Sequence, residues 1–194
     1  MQSSDALERL PLKSAGPVSA AFAVIGTWDF RSAAGYVQRL PYGRNENLAD
    51  VLAVLREERG TCSTKHALLR RLALEQDVEI ALIVGIYEMT ERNTPGVGKV
   101  LAESSLASIP EAHCYLRVGP MRVDVTREQA NSVEAIHEIL YEEEIAPDQI
   151  GEYKKNLHRQ FLQEWKQSSD LAKAYTLEEL WGIRESCIEA LEHL

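Results

Sequence analysis

Three side chains of complementary chemistry follow one another along this chain. Cys62 stands in Gly60-Thr61-Cys62-Ser63-Thr64-Lys65-His66-Ala67-Leu68-Leu69, His113 in Glu111-Ala112-His113-Cys114-Tyr115-Leu116, and Asp124 in Val123-Asp124-Val125-Thr126. A thiol is a useful nucleophile only as its anion, and an imidazole oriented by a third group removes the proton and stabilises the charge left behind. Brought together, Cys62 would attack a carbonyl carbon, and His113 would take the thiol proton and return it to the leaving group. Asp124 would fix the ring's tautomer and steady the imidazolium.

The elements around these residues must place them. Leu48 to Arg59 carries Leu48, Val51, Leu52 and Leu55 on one helical face after Asn47, which predicts a helix that Gly60 ends. A second helix starts close to Cys62, with Ser63 and Thr64 at its mouth and Ala67, Leu68 and Leu72 facing inward. At such a start, free N–H groups and the helix dipole favour a thiolate, and the Cys62 N–H can donate to an oxyanion. Val78 to Tyr87 is β-branched and continuously apolar, which predicts a central strand.

Tyr115 to Asp124 reads as a hairpin about Gly119-Pro120. With an even-length loop, facing residues have numbers that sum to 239. Cys114, Leu116, Val118, Met121, Val123 and Val125 then share an apolar face. His113, Tyr115, Arg117, Arg122, Asp124 and Thr126 share the other. His113 and Asp124 become diagonal neighbours, roughly 7–8 Å apart at the backbone and within side-chain reach. Arg117 and Arg122 stand opposite each other and either splay into water, the favoured reading, or share an anionic ligand.

The rest of the chain is read more coarsely. Val18 to Ile25 is apolar and of ambiguous type, and Ser32 to Leu40 has a helical pattern that stops at Pro41. Thr90 to Ala112 reads as a long loop that could cover a site, with Gly96-Val97-Gly98-Lys99 a loop and not a phosphate-binding motif. Ser132 to Glu144 has no clear pattern, and Glu111 and Glu142-Glu143-Glu144 are expected to be solvated acids. Pro147 opens a helix running to about Gln167, on which Tyr153, Leu157, Phe161 and Trp165 form an apolar stripe expected to face the core. Thr176 and Glu179 form a capping box for a final helix carrying Leu180, Ile183, Cys187, Ala190 and Leu191.

With 194 residues, 45% of them apolar and 26% charged, and no linker-like stretch, the chain predicts one domain over 1–194. Its core would lie at about 47–126, with a helical C-terminal extension at about 127–194. A net charge of −9 disfavours nucleic acid and anionic lipid as partners. No apolar run is long enough for a membrane helix, and Met1 to Arg9 lacks a secretory pattern, so a cytoplasmic location is expected. Three cysteines without a CxxC pair support neither a disulfide framework nor a four-cysteine zinc site.

On the three segments quoted first, spanning roughly Leu48 to Thr126, the chain resembles the transglutaminase-like superfamily of papain-type cysteine enzymes. The resemblance implies an α+β fold in which a helix bearing the nucleophile packs on an antiparallel sheet bearing the other two residues. It also implies thiol-dependent hydrolysis or transfer at the amide bond of a peptide or small amide, with Cys62, His113 and Asp124 as catalytic residues and neither cofactor nor metal. Val125 replaces the proline common after the aspartate, and the tryptophan often found nearby is absent. Trp28 and Asn45 are the candidates for the upstream oxyanion donor. Two other readings compete: a protein of the same fold that binds a partner in its cleft without catalysis, and a zinc protein using Cys62 and His66 with His113 or Cys114. His66 is otherwise expected to pack or to lend a hydrogen bond.

Overall fold

A computed structural model describes residues 7, 10–128 and 138–192. The sequence readings for Met1 to Arg9 and for the part of the Ser132–Glu144 segment up to residue 137 fall largely outside them. The class is α+β, with one four-stranded antiparallel sheet in the order β3-β2-β1-β4. Its strands are β1 (Ala81–Met89), β2 (Ile109–Val118), β3 (Met121–Val123) and β4 (Ile139–Ile145).

β1 lies between two partners, pairing with β2 from Ala81↔Arg117 to Met89↔Ile109 and with β4 on its other side. That position explains its continuous apolar run, since a strand flanked and covered on both faces has nowhere to put polar side chains. β2 and β3 form the expected hairpin in the expected register, Leu116↔Val123, Arg117↔Arg122 and Val118↔Met121. Gly119 makes the turn with φ +55°, a left-handed conformation that a side chain would strain. Regular pairing stops at Val123, and Asp124 begins the segment that leaves the sheet.

Helices α1 (Pro17–Val24), α2 (Phe30–Arg39) and α3 (Ala53–Arg56) precede α4 (Cys62–Glu75), which packs on β2 and β1. Phe22, Phe30 and Val37 join Leu68, Leu69 and Leu72 of α4 over Leu82, Val84, Cys114, Leu116 and Val123 of the sheet. The core therefore also draws on residues before 47. A second apolar cluster gathers α5 (Gly98–Glu103), α6 (Glu152–Ser168) and α7 (Leu177–Glu192) against Tyr87, Met89 and Ile109.

Several expectations are corrected. The helix expected over Leu48–Arg59 shrinks to α3, because Asn47 and Asp50 accept hydrogen bonds from the Ala49 and Leu52 amides and hold the preceding residues in turns. The long loop expected over Thr90–Ala112 contains α5, and its last residues belong to β2. Ile139–Ile145 is a strand, and its acids are not simply solvated: Glu142 accepts from the Tyr115 hydroxyl and from Arg122 Nη2 at 2.8 Å. Arg117 Nη1 lies 3.8 Å from the same carboxylate, so the facing arginines share an anion supplied by the protein. The helix expected from Pro147 is instead a 3₁₀ turn, Pro147–Ile150, broken at Gly151 before α6.

Of the expected α6 stripe, Leu157, Phe161 and Trp165 pack half-buried against the core, whereas Tyr153 is exposed and the buried residues are Lys154, His158 and Leu162. The capping box at Thr176 is present, with Thr176 N–H donating to Glu179 at 2.7 Å and Glu179 N–H to Thr176 Oγ1 at 3.2 Å. Among the described residues no helix is long and apolar enough to cross a membrane.

Candidate active site

α4 begins at Cys62 because Thr61 caps it. Thr61 N–H donates to Thr64 Oγ1 at 2.9 Å, and Thr61 Oγ1 accepts from the Thr64 amide. Gly60 is required just before, since a Cβ there would sit 2.9 Å from Lys65 Cγ, and its N–H donates to Pro41 O at 3.1 Å. Thr61→Ala should lower unfolding free energy by about 1 kcal/mol. A urea midpoint measurement showing no loss would mean that this cap does not hold the helix start.

His113 comes from β2 and Asp124 from the segment after β3. His113 Nε2 donates to Asp124 Oδ2 at 2.7 Å, so the residues that the hairpin register made neighbours do meet. Asp124 is almost wholly buried, and its other oxygen accepts from Thr126 N at 2.8 Å and Thr126 Oγ1 at 2.5 Å. Burial alone would raise its pKa, but the positive charge and hydrogen bond of His113, with help from His66 and Thr126, hold it far below the ordinary carboxylate range. With Nε2 engaged by Asp124, Nδ1 is the ring nitrogen left over, and Cys62 is among the influences that raise the His113 pKa.

Burial opposes ionisation of Cys62. The Lys154 charge, then the charge and hydrogen bond of His113 and the Cys114 amide, outweigh it and bring the thiol down to about 6. Burial likewise opposes the His113 charge, and Asp124 and Cys62 together push that pKa well above its usual value. Each of the two therefore favours the charged form of the other.

His66 ties the start of α4, at Cys62, to the segment that bears Asp124. It is fully buried, with Nδ1 2.7 Å from Cys62 O and Nε2 accepting from the Val125 amide at 2.9 Å. A carbonyl can only accept, so the proton is on Nδ1 and the ring is neutral. Both nitrogens are thus engaged, which leaves His66 unable to join Cys62 in a zinc site. The fully buried Lys65 does similar work, donating to Leu40 O at 2.5 Å and Thr126 O at 2.7 Å.

A cleft of about 910 Å³ reaches Cys62, His113 and Asp124. Tyr42, Tyr87 and Arg127 line it, with Ile188 and Leu191 of α7, and Asn93 to Gly96 of the expected covering loop form part of its wall. Neither Trp28 nor Asn45 belongs to it. Trp28 is exposed, and the Asn45 amide donates to Glu57 and to Arg59 O. Comparison with protein-family models, with curated proteins and with solved structures finds no match.

Two residues of this neighbourhood escape sequence reasoning. Glu111, expected in solvent, is buried and bound at both oxygens by Arg184 of α7, each at 2.6 Å. Burial would raise its pKa, and Arg184 brings it to about 2. Lys154 of α6 reaches Ser63 beside the thiol, with Nζ donating to Oγ at 2.8 Å. The signal for Lys154 was its alignment with His158 and Leu162 at helical spacing, one position off the apolar stripe.

His66 and His158 contribute to the loss of stability in acid. Burial depresses both to about 4 from an ordinary 6.5. Between those pH values the unfolded chain binds protons that the folded chain refuses, so stability falls as pH falls, by at most on the order of 3 kcal/mol per ring. His158→Gln should remove about one proton from the slope of unfolding free energy against pH. An unchanged slope would count against a neutral His158 in the fold.

Proposed function

We propose that this protein is a cysteine-dependent amide hydrolase or acyltransferase of the transglutaminase-like type, with Cys62 as nucleophile, His113 as base and then acid, and Asp124 as the orienting carboxylate. The observation that carries the reading is the 2.7 Å bond from His113 Nε2 to a buried Asp124, beside a thiol brought down to about 6 at the wall of an open cleft. The order of α4, β2 and the β2–β3 hairpin agrees with a papain-like core, in which the thiol opens a helix packed on the sheet bearing the imidazole.

The Cys62 thiolate attacks the carbonyl carbon, and the oxyanion is met by the Cys62 N–H, a first-turn amide with no carbonyl partner in its own helix. As the C–N bond breaks, the His113 imidazolium protonates the leaving amine and becomes neutral. It then takes a proton from the water or amine that attacks the thioester, and the C–S bond breaks to release the thiolate and restore the starting ion pair. Peptides and small amides are the substrates that this route accepts, and three buried free cysteines suit a reducing cytoplasm.

An activated ester such as p-nitrophenyl acetate tests the reading without a known substrate. We expect a burst of p-nitrophenol, an acetyl group on Cys62 by peptide mass mapping, and loss of both in His113→Ala. Faster turnover with added hydroxylamine would indicate transfer in preference to hydrolysis. Absence of any Cys62 adduct would favour a binding protein of the same fold.

A further inference from the structure

The α6 helix sends a lysine into the protein toward the nucleophile. Lys154 and Ser63 are both more than nine-tenths buried. Lys154 Nζ donates to Ser63 Oγ at 2.8 Å, and Ser63 Oγ lies 3.8 Å from Cys62 Sγ. An ammonium group only donates, so Ser63 accepts from it and keeps its own O–H to donate onward. Among the described residues, no carboxylate forms an ion pair with Lys154, and the nearby Glu111 is already bound at both oxygens by Arg184. A buried ammonium needs a compensating negative charge. The group placed to supply one is the Cys62 thiolate.

We infer that Lys154 is a positioning residue for the nucleophile, holding Cys62 in its anionic form through Ser63. The inference rests on the reading of Cys62 as nucleophile and adds a second cation to the one that His113 supplies. The electrostatics run the same way in both directions. After burial, Lys154 is the strongest influence on the Cys62 thiol, and Cys62 is the strongest on Lys154, whose pKa is raised. The other ionisable groups facing this cluster are Glu111, His113 and Cys114 of β2, Arg184 of α7, His158 of α6 itself, Lys65 of α4, and Tyr42 and Tyr87. Of these, Lys65 already spends its donors on two backbone carbonyls, and Arg184 is committed to Glu111 and Glu185.

Iodoacetamide labelling of Cys62, followed by intact mass across a pH series, tests this. It reads the thiol's own inflection, which a merely structural lysine would not move. In Lys154→Met the inflection should rise by about one unit or more, seen as roughly tenfold slower labelling on its acid side. Lys154→Arg should return at least half of the shift. Ser63→Ala should move the inflection upward by a smaller amount, and it keeps the test open if Lys154→Met does not fold. An unmoved inflection in both Lys154→Met and Ser63→Ala overturns the inference, as does an equal shift in the Met and Arg variants, which would assign the effect to packing. A wild-type inflection at the ordinary thiol value sinks the underlying reading of Cys62. A low wild-type inflection with unmoved variants sinks only the role of Lys154.

Discussion

At pH 7 the wild-type protein should take up iodoacetamide at one cysteine, and Cys62 should label about 10² times faster than Cys187. All three cysteines are free and buried, so burial does not distinguish them. Charge does. Cys62 sits at about 6, whereas burial raises Cys114 and lifts Cys187 to about 11. The thiolate fractions of Cys62 and Cys187 at neutral pH then differ by roughly 10⁴, but the intrinsic nucleophilicity of a thiolate falls with its pKa and removes about two of those decades. A hundredfold preference remains. The cleft adds to it, because it reaches Cys62 and neither of the others. Peptide mapping of the singly labelled protein checks the assignment, and equal labelling of Cys62 and Cys187 would contradict it.

How much of this site could be read from the chain depended on the range of the interactions. The hairpin was legible because residues alternate in polarity on both sides of Gly119-Pro120, and a one-residue slip would have sent Leu116 and Val123 out of the core. That register carries the chain back to His113, and Asp124 meets it from the first residue beyond the ladder. The helix at Cys62 was legible for a local reason too: Gly60 stands just before it, and Ser63 and Thr64 lie at its mouth. Lys154 and Glu111 were not legible, since their burial is made tolerable by Ser63 and Arg184, 91 and 73 positions away. Without those partners a lysine beside Tyr153 and a glutamate before Ala112 read as solvent-facing. The β4 strand was obscured in the same way, because Glu142 finds Tyr115 and Arg122 only after the sheet has formed. What stayed hidden is what pairs across the fold, and α6 shows it best: beside its apolar stripe, Lys154 and His158 are buried where they reach Ser63 Oγ and Pro110 O.

Asp124 should be the most sensitive position after the nucleophile, and its two obvious substitutions should fail in different ways. Asp124→Asn preserves shape, but an amide has one oxygen. That oxygen is required by the two donors of Thr126, the N–H at 2.8 Å and the hydroxyl at 2.5 Å. The amide NH₂ must then face His113 Nε2, which can receive it only as an acceptor, so the ring's proton moves to Nδ1. Neutral His113 then carries its proton on Nδ1 and has no lone pair there to take one from the attacking water or amine, and the negative charge that stabilised the imidazolium is gone. Turnover of an activated ester should fall by roughly 10³–10⁴, the scale associated with a wrong tautomer in an acid–base–nucleophile set. The Cys62 labelling inflection should rise at the same time. Asp124→Ala removes the acceptor altogether and leaves the Thr126 donors and a buried imidazole unpartnered, which should cost about 3–5 kcal/mol of stability. Urea unfolding separates the two variants: a near-normal midpoint for Asp124→Asn with lost turnover identifies a residue that orients the base, whereas normal turnover would leave Asp124 as a fold anchor.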